Sequence, residues 1–391
     1  MSTSTVATST PSAGEVSPLL DYAAGDFFFS SPYGSLLAHG SVATATEPAQ
    51  DWAGTAEHLL RSAPGASIVV GALPFERRNG VRLTVPAQHR RGRPPRWLPD
   101  VPAAPAATGW TVRPRPAPAA FEAAVATAVE AIGAGLLEKV VLARALELTG
   151  SAEMPVAHLL RRLADQHACG HVFAADVGRP GDATPRTLLG ASPELLISRT
   201  GRQVVSNPLA GSAPRHPDPV VDRARATALV NSEKDRREHA VVIADIAARL
   251  RPFCADLRVP EPVLVRTPSM WHLSTRITGT LDDPTHSSLR LAQALHPTPA
   301  VGGVPLEPAR AIIRQSEAVD RGYYTGLVGW CDASGDGEWA IVLRCAEASG
   351  RTLRLYAGAG IVAGSDPAAE LAETSAKFRT FLRAVGLDVD A

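Results

Sequence analysis

Only three lysines, Lys139, Lys234 and Lys377, stand among the 39 Lys and Arg residues of this 391-residue chain. Arginine can replace lysine on a solvated surface, but its guanidinium stays protonated. An ammonium can give up its proton when it is desolvated or set near positive charge. Each remaining lysine is therefore a candidate for proton-transfer chemistry. Glutamates lie near them at helical spacing. In SEKDRREHAVVIADIAARL, Glu238 falls in line with Val242 and Ile246, on the apolar face. Further on, Glu370, Glu373 and Lys377 form one stripe that Phe381 continues inward. A carboxylate turned inward needs a proton or a cation. Three of them make an oxygen-rich set suited to Mg²⁺, which takes few protein carboxylates, keeps waters and bridges to anionic groups. An ion pair of Glu238 with an arginine or His239 fits the same spacing. So does an exposed pair of Glu373 with Lys377, and the helices alone do not choose.

Other residues suit anion binding. Arg344 ends the apolar strand EWAIVLRCAE, where a guanidinium could clamp a carboxylate bidentately. The glycines of YAGAGIV and PLAGSAPR could let backbone N–H groups approach an anion, although G-x-G-x-x-G spacing is absent. His167 and His171 flank Cys169 without a second ligand pair, so no metal is expected there. His272, alone in TPSMWHLSTR, reads first as a structural histidine.

These residues need elements to hold them. Residues 1–18 are Ser/Thr-rich and expected to be a disordered tail. Strands are expected in 27–40, 66–75, 139–148, 186–200, 202–211, 338–347 and 351–362. A turn at SGDGE separates two of the C-terminal segments. An amphipathic helix follows from Phe121, Val125, Val129, Ile132 and Leu136. Further helices are expected at 219–230, 232–251, 306–316 and 367–386, with N-caps at Ser232 and Asp366. The proline-rich stretch 94–118 reads as an extended surface connection. Runs of strands with helices between them, without regular βαβ alternation, predict an α+β class with antiparallel sheets. Residues 19–391 are read as the folded part that follows the tail.

Composition narrows the function. Net charge is zero, which gives no reason to expect nucleic acid or an anionic membrane surface, and no apolar run is long enough to span a bilayer. Four scattered cysteines without a C-x-x-C pair fit inert thiols in a reducing compartment, so a cytoplasmic location is expected.

Taken in order, EKVVLAR, LLGASPELL, PLAGSAPR, SEKDRREHA, MWHLSTRITG, LHPTPAVGG, RGYYTGLVGWCD, WAIVLRCAE and YAGAGIVAGSDPAAELAET with Lys377 resemble the chorismate-utilising enzymes. FFFSSPYGSLL and GALPF extend the likeness toward the N-terminus. The resemblance implies a single large α+β domain of antiparallel sheets packed face to face and flanked by helices, Mg²⁺ as cofactor, chorismate as substrate, and a monomer. It implies Lys139 as the general base that activates water, where ammonia-using members typically carry Gln. Glu194 in ASPEL would be the general acid for the departing C4 hydroxyl. Glu238 and Glu373, with Glu370 beside them, would hold the metal. Arg344 and the backbone at Gly358 would clamp the enolpyruvyl carboxylate, and Ala210 and Gly211 would contact the ring-carboxylate side. His272 and Lys377 match active-site positions, and Ala300 and Tyr324 line the pocket. As an acid, Glu194 should be held protonated by an apolar setting and nearby carboxylates. As a base, Lys139 should be kept neutral by burial and neighbouring cations.

Three segments, SEKDR, MWHLSTRITG and LHPTPAVGG, look most like members that form isochorismate, by adding water at C2 with loss of the C4 hydroxyl. That product would feed siderophore (2,3-dihydroxybenzoate) or menaquinone biosynthesis. A salicylate synthase, an aminodeoxyisochorismate synthase and a non-catalytic chorismate-binding homologue are the alternatives. Small Ala300 favours stopping at isochorismate, whereas the Tyr324 hydroxyl could serve a further lyase step.

Overall fold

The computed structural model describes residues 17–95, 109–167, 170–179 and 181–387. Most of the expected tail, the core of the proline-rich stretch and Cys169 lie outside those residues. Ser17 caps a short helix at Pro18–Asp21, and Leu19 is fully buried.

Among the described residues every strand pairing is antiparallel. A ten-stranded sheet runs Gly303–Val304, Lys139–Thr149, Thr352–Val362, Cys345–Ser349, Arg186–Ser192, His171–Asp176, Phe27–Ser31, Gly34–His39, Gln88–Gly92, with Thr111–Arg115 also paired to Lys139–Thr149. A nine-stranded sheet runs Cys254–Arg258, Ile277–Leu281, Gln203–Asn207, Leu195–Thr200, Gly337–Ile341, Leu327–Asp332, Ile68–Leu73, Arg82–Val85, Ala43–Ala45. Leu209–Pro214, Met270–Ser274 and Val263–Arg266 make a third, small sheet.

Alternation of side chains along the strands explains the layers. Phe27, Phe29, Leu36, Phe173, Leu188 and Tyr356 of the first sheet meet Ile68, Val70, Val328, Trp330 and Ala340 of the second across a dry interface. The intervening residues Phe28, Leu37, Val172 and Leu189 face outward, under helices Val156–Gln166 and Pro367–Ala384. The second sheet turns Leu73, Ile197, Val204, Trp339 and Ile341 toward helices Trp52–Ser62, Glu233–Leu250 and Ser288–Leu295. Helices Pro118–Gly133 and Leu306–Ser316 cover the outer face where Lys139–Thr149 begins.

Several expectations are met residue by residue. Ser232 accepts from the Asp235 amide at 3.2 Å, and Asp366 accepts from the Ala369 amide at 2.8 Å. Val242, Ile246 and Phe381 are buried. Three readings change. Within 94–118, Thr111–Arg115 is a paired strand and Pro118 starts a helix, so the described part of the stretch belongs to the first sheet rather than to a surface link. The helix ends at Gly133, leaving Leu136 63% exposed instead of continuing its apolar stripe. Arg344 does not end a strand: pairing stops at Ile341, and Arg344 stands in the crossing between two sheets.

The inter-sheet core predicts a large truncation cost. Phe173→Ala should lower unfolding stability by about 3–5 kcal/mol, because the rigid sheets on both sides cannot close the cavity. Equilibrium urea unfolding checks this; a loss below about 1 kcal/mol would contradict the packing.

Candidate active site

One cavity gathers Glu194, Ala210, Gly211, Glu238, His272, Ala300, Tyr324, Arg344, Gly358, Glu370, Glu373 and Lys377. Every residue expected from sequence lines it except Lys139, which reaches it through a 2.8 Å bond from its Nζ to Glu238 Oε1. The cavity lies where chain segments leave one sheet for another. Arg186–Ser192 passes through Pro193 and Glu194 into the second sheet, and Gly337–Ile341 passes through Arg344 back into the first. The two crossings are tied together: the Ala191 amide donates to Arg344 O and the Ile341 amide to Glu194 O, both at 3.2 Å. Thr325 and Arg344 are the non-glycine residues with positive φ among the described ones, at 60° and 46°, and both line the cavity. Such backbone costs free energy and persists where the surroundings enforce it, commonly at functional sites.

Strand alternation supplies another wall. Val140 and Leu142 pack outward, so Lys139 and Val141 face inward. On the paired strand, Ala359 and Ile361 pack outward, leaving Gly358 and Gly360 to face the cavity. Space favours glycine there: a Cβ on Gly360 would lie 2.6 Å from Glu238 Oε1 and 3.1 Å from Lys139 Cε, so these side chains would have to shift. A Cβ on Gly358 would meet the Tyr324 hydroxyl at 3.0 Å. Gly211 sits at a register shift with φ 76° and faces the Asp235 side chain.

The acidic wall comes from two helices. Arg144 holds the C-terminal one in place, donating to Thr374 Oγ1 at 2.8 Å and to Ser375 Oγ at 2.5 Å from the outer side of the Lys139 strand. All three lysines of the chain are used here. Lys139 pairs with Glu238 at 2.8 Å, Lys234 with Glu370 at 3.3 Å and Lys377 with Glu373 at 2.7 Å. Lys377 also donates to Gly358 O, and Ser212 donates to Glu373. The expected Glu373–Lys377 pair thus forms, but facing the cavity rather than solvent. The expected cations around Lys139 are not its contacts; its ion-pair partner is a carboxylate.

Electrostatics separate the carboxyl groups. Burial pushes Glu194 up to about 7, against the opposing pull of the Leu209 amide, Lys139 and Arg344. The expected contribution of neighbouring carboxylates is absent from its causes: burial alone does the raising. Its Oε1 is buried without a hydrogen-bond partner. Glu370 is also raised, by burial and by the adjacent Glu373. Glu373 is lowered: burial raises it, but the Lys377 ammonium and the donors Lys377 and Ser212 outweigh that. His272 is driven well below its ordinary range by burial, then by Arg344 and Lys377, so it presents a neutral ring whose Nε2 has no partner. Arg344 makes no ion pair among those of the described residues, although it lines the cavity, which leaves its donors for a ligand anion.

Residues missed by sequence reasoning also line the cavity: Lys234, Asp235, Ser212 and Thr325. The scarcity of lysine marked Lys234 without placing it. Asp235, whose amide donates to the Ser232 cap, stands one turn before Glu238, and that spacing was the available signal. His167 lines a neighbouring cavity with Arg215 and Arg344, and among the described residues no group of three His, Cys, Asp or Glu is arranged around a metal position. The donor set still suits a hard divalent cation. Glu238, Glu370 and Glu373 offer only oxygen, and Glu370 registers the repulsion of Glu373, which a cation would relieve.

The family model described as chorismate binding enzyme matches residues 100–386. Isochorismate synthase DhbC of Bacillus subtilis is 49% identical over 381 residues, covering 95% of this chain and 96% of that protein. Isochorismate synthase EntC of Escherichia coli is 36% identical over 383 residues, covering 92% and 95%. The crystal structure of DhbC from Bacillus anthracis superposes with a TM-score of 0.90 at 46% identity, covering 95% of this chain and 99% of that one. The chain belongs to the chorismate-binding enzyme family, in which these isochorismate synthases are its relatives.

Proposed function

We propose that the chain is a magnesium-dependent isochorismate synthase that interconverts chorismate and isochorismate. The observation that carries the reading is Glu194, a buried carboxyl with a free oxygen, held protonatable near neutral pH in the same cavity as an unpaired arginine. Water has to be deprotonated as its oxygen bonds to C2 of the ring. The double bonds shift, and the C4–O bond breaks with its electron pair. Such an exchange needs a base and an acid whose proton affinities are pulled apart. Lys139 is the proposed base, taking the water proton on its amine, and Glu194 the acid, protonating the departing C4 oxygen so that it leaves as water. The substrate keeps two carboxylates throughout. Arg344, with the Gly358 backbone beside it, suits the enolpyruvyl carboxylate. Ala210 and Gly211 suit the side of the ring carboxylate.

Glu238, Glu370 and Glu373 are the proposed holders of Mg²⁺, which when bound would neutralise this acidic wall and receive the ring carboxylate. Lys139 must be neutral to act, and its ion-pair partner is one of these glutamates. Holding the cation and freeing the amine therefore draw on the same carboxylate. All these groups come from one chain, in keeping with a monomer, and among the described residues no helix is long and apolar enough to cross a membrane. We place the reaction in the cytoplasm, with its product feeding 2,3-dihydroxybenzoate siderophore or menaquinone formation.

Incubation with chorismate and Mg²⁺, without ammonia, should give isochorismate as product and lose it on chelation. Salicylate and pyruvate would instead move the chain to a lyase reading centred on Tyr324, and unchanged chorismate would refute the proposal. Lys139→Ala and Glu194→Gln should each cost at least about 10²-fold in kcat while chorismate still binds by calorimetry. Near-normal turnover in either would remove that residue from its role. Because Glu194 must be protonated and Lys139 neutral, kcat/KM should fall on both the acid and the alkaline side of an optimum, with the limb set by Glu194 near pH 7. A profile still rising at roughly pH 9 would rule out Glu194 as the acid.

A further inference from the structure

The edge of the strand Lys139–Thr149 that faces away from Thr352–Val362 is paired in two pieces. Gly303–Val304 covers Val140 and Lys139, and Thr111–Arg115 covers Ala145 to Thr149. Between them Val141 and Ala143 turn backbone groups toward no strand, directly beside the cavity. A buried N–H or C=O left without a partner is costly. The Val141 amide donates to Gly302 O at 2.9 Å. Two more of these groups, the Val141 carbonyl and the Ala143 amide, are met by a buried side-chain pair. Arg321 Nη2 donates to Val141 O at 2.7 Å, and the Ala143 amide donates to Glu317 Oε1 at 2.9 Å.

Arg321 is 3% exposed and uses its whole fork. Nε and Nη2 grip Glu317, Nη1 donates to Val301 O at 2.7 Å and to Thr325 Oγ1 at 3.2 Å, and the guanidinium lies 4.4 Å over the Phe75 ring. The acceptors belong to separate stretches of chain that meet at the cavity: Val141 on the Lys139 strand, Val301 beside Ala300, and Thr325 beside Tyr324. Thr325 is also one of the two strained residues, and His296 Nε2 bonds its carbonyl oxygen at 2.9 Å.

We propose that Arg321, with Glu317, is a positioning residue. The pair takes the place of a missing strand and sets the Lys139 strand, the Ala300–Val301 loop and the Tyr324–Thr325 turn in one fixed relation. A planar fork with five donors can hold these acceptors together; a lysine ammonium on a flexible stem cannot span them. The cavity contains neither side chain, so their effect on turnover passes through the wall they hold. This inference rests on the reading of Lys139 as base for its catalytic consequence, and on geometry alone for its structural one.

The test uses the full chain carrying Arg321→Lys, with Glu317→Gln as the isosteric second variant should the first fail to fold. In a folded variant, hydrogen exchange should show the Val141 and Ala143 amides losing protection while the inter-sheet core keeps its own. With chorismate and Mg²⁺, kcat should fall by about 10²-fold, the scale of a 1 Å misplacement, with KM changed by less than about threefold. Unchanged exchange at these amides would overturn the proposal whether or not chorismate is the substrate. So would an unchanged kcat, or a loss confined to KM, in an enzyme whose unaltered form converts chorismate. Failure of the unaltered enzyme to convert chorismate would count against the isochorismate synthase reading, and the exchange result would still decide the role of Arg321.

Discussion

Carboxylates cannot be turned into a water-poor cavity unless cations meet them, and that requirement organises this molecule. Glu238, Glu370 and Glu373 face one space, and the three lysines of the chain are all spent on them. Elsewhere arginine serves, because surface and structural pairing need only a fixed charge. Lysine remains at the one cavity where the proposed chemistry asks for a compact charge able to change. The pairs also offset the repulsion among like charges held this close. A divalent cation bound there, as proposed, would compete with ammonium groups for the same oxygens, and its binding would then be coupled to Lys139.

The second constraint is where a β-sandwich can place polar groups at all. The interface between the two large sheets is filled by Phe29, Phe173, Val328 and their neighbours, and admits no substrate. Polar side chains enter where strands change sheet, because there the backbone leaves its ladder. Glu194 and Arg344 occupy two such crossings, bonded to each other's strands. Glu194 and Arg344, the proposed acid and anion clamp, are therefore held by the same backbone bonds that join the sheets. Burial at that corner gives Glu194 its raised proton affinity, while Arg344 is left without an ion-pair partner in the same place. The left-handed backbone at Arg344 and Thr325 is the local cost of these turns.

Much of the machinery was legible in the residues. Helical spacing turned Glu238, Glu373 and Lys377 inward, lysine scarcity singled out the proton-transfer candidates, and the caps at Ser232 and Asp366 set the starts of the two acidic helices. The resemblance carried by short segments in order added Glu194, Ala300 and Tyr324, which no periodicity marks. What stayed illegible were contacts made at long sequence separation. Nothing local says that Asp235 joins the acidic wall, that Lys234 reaches Glu370 over 136 positions, or that Arg321 reaches back 180 positions to Val141. The strand at Thr111–Arg115 was hidden because a proline and two arginines in five residues resemble a linker until an edge is available to pair with.

By itself, then, the sequence determined the class of the fold, the helices that carry the acidic groups and the type of chemistry those groups can do. These follow from periodicity, capping and residue type, which act over a few positions. The tertiary structure alone decided which partner each group would have. Lys139 meets a carboxylate rather than the cations expected of it, Glu194 is raised by burial without help from other acids, and Arg344 sits in a crossing with no ion pair among the described residues. Proton affinity and pairing depend on distance and exclusion of water, and both are set only when segments far apart in the chain pack together.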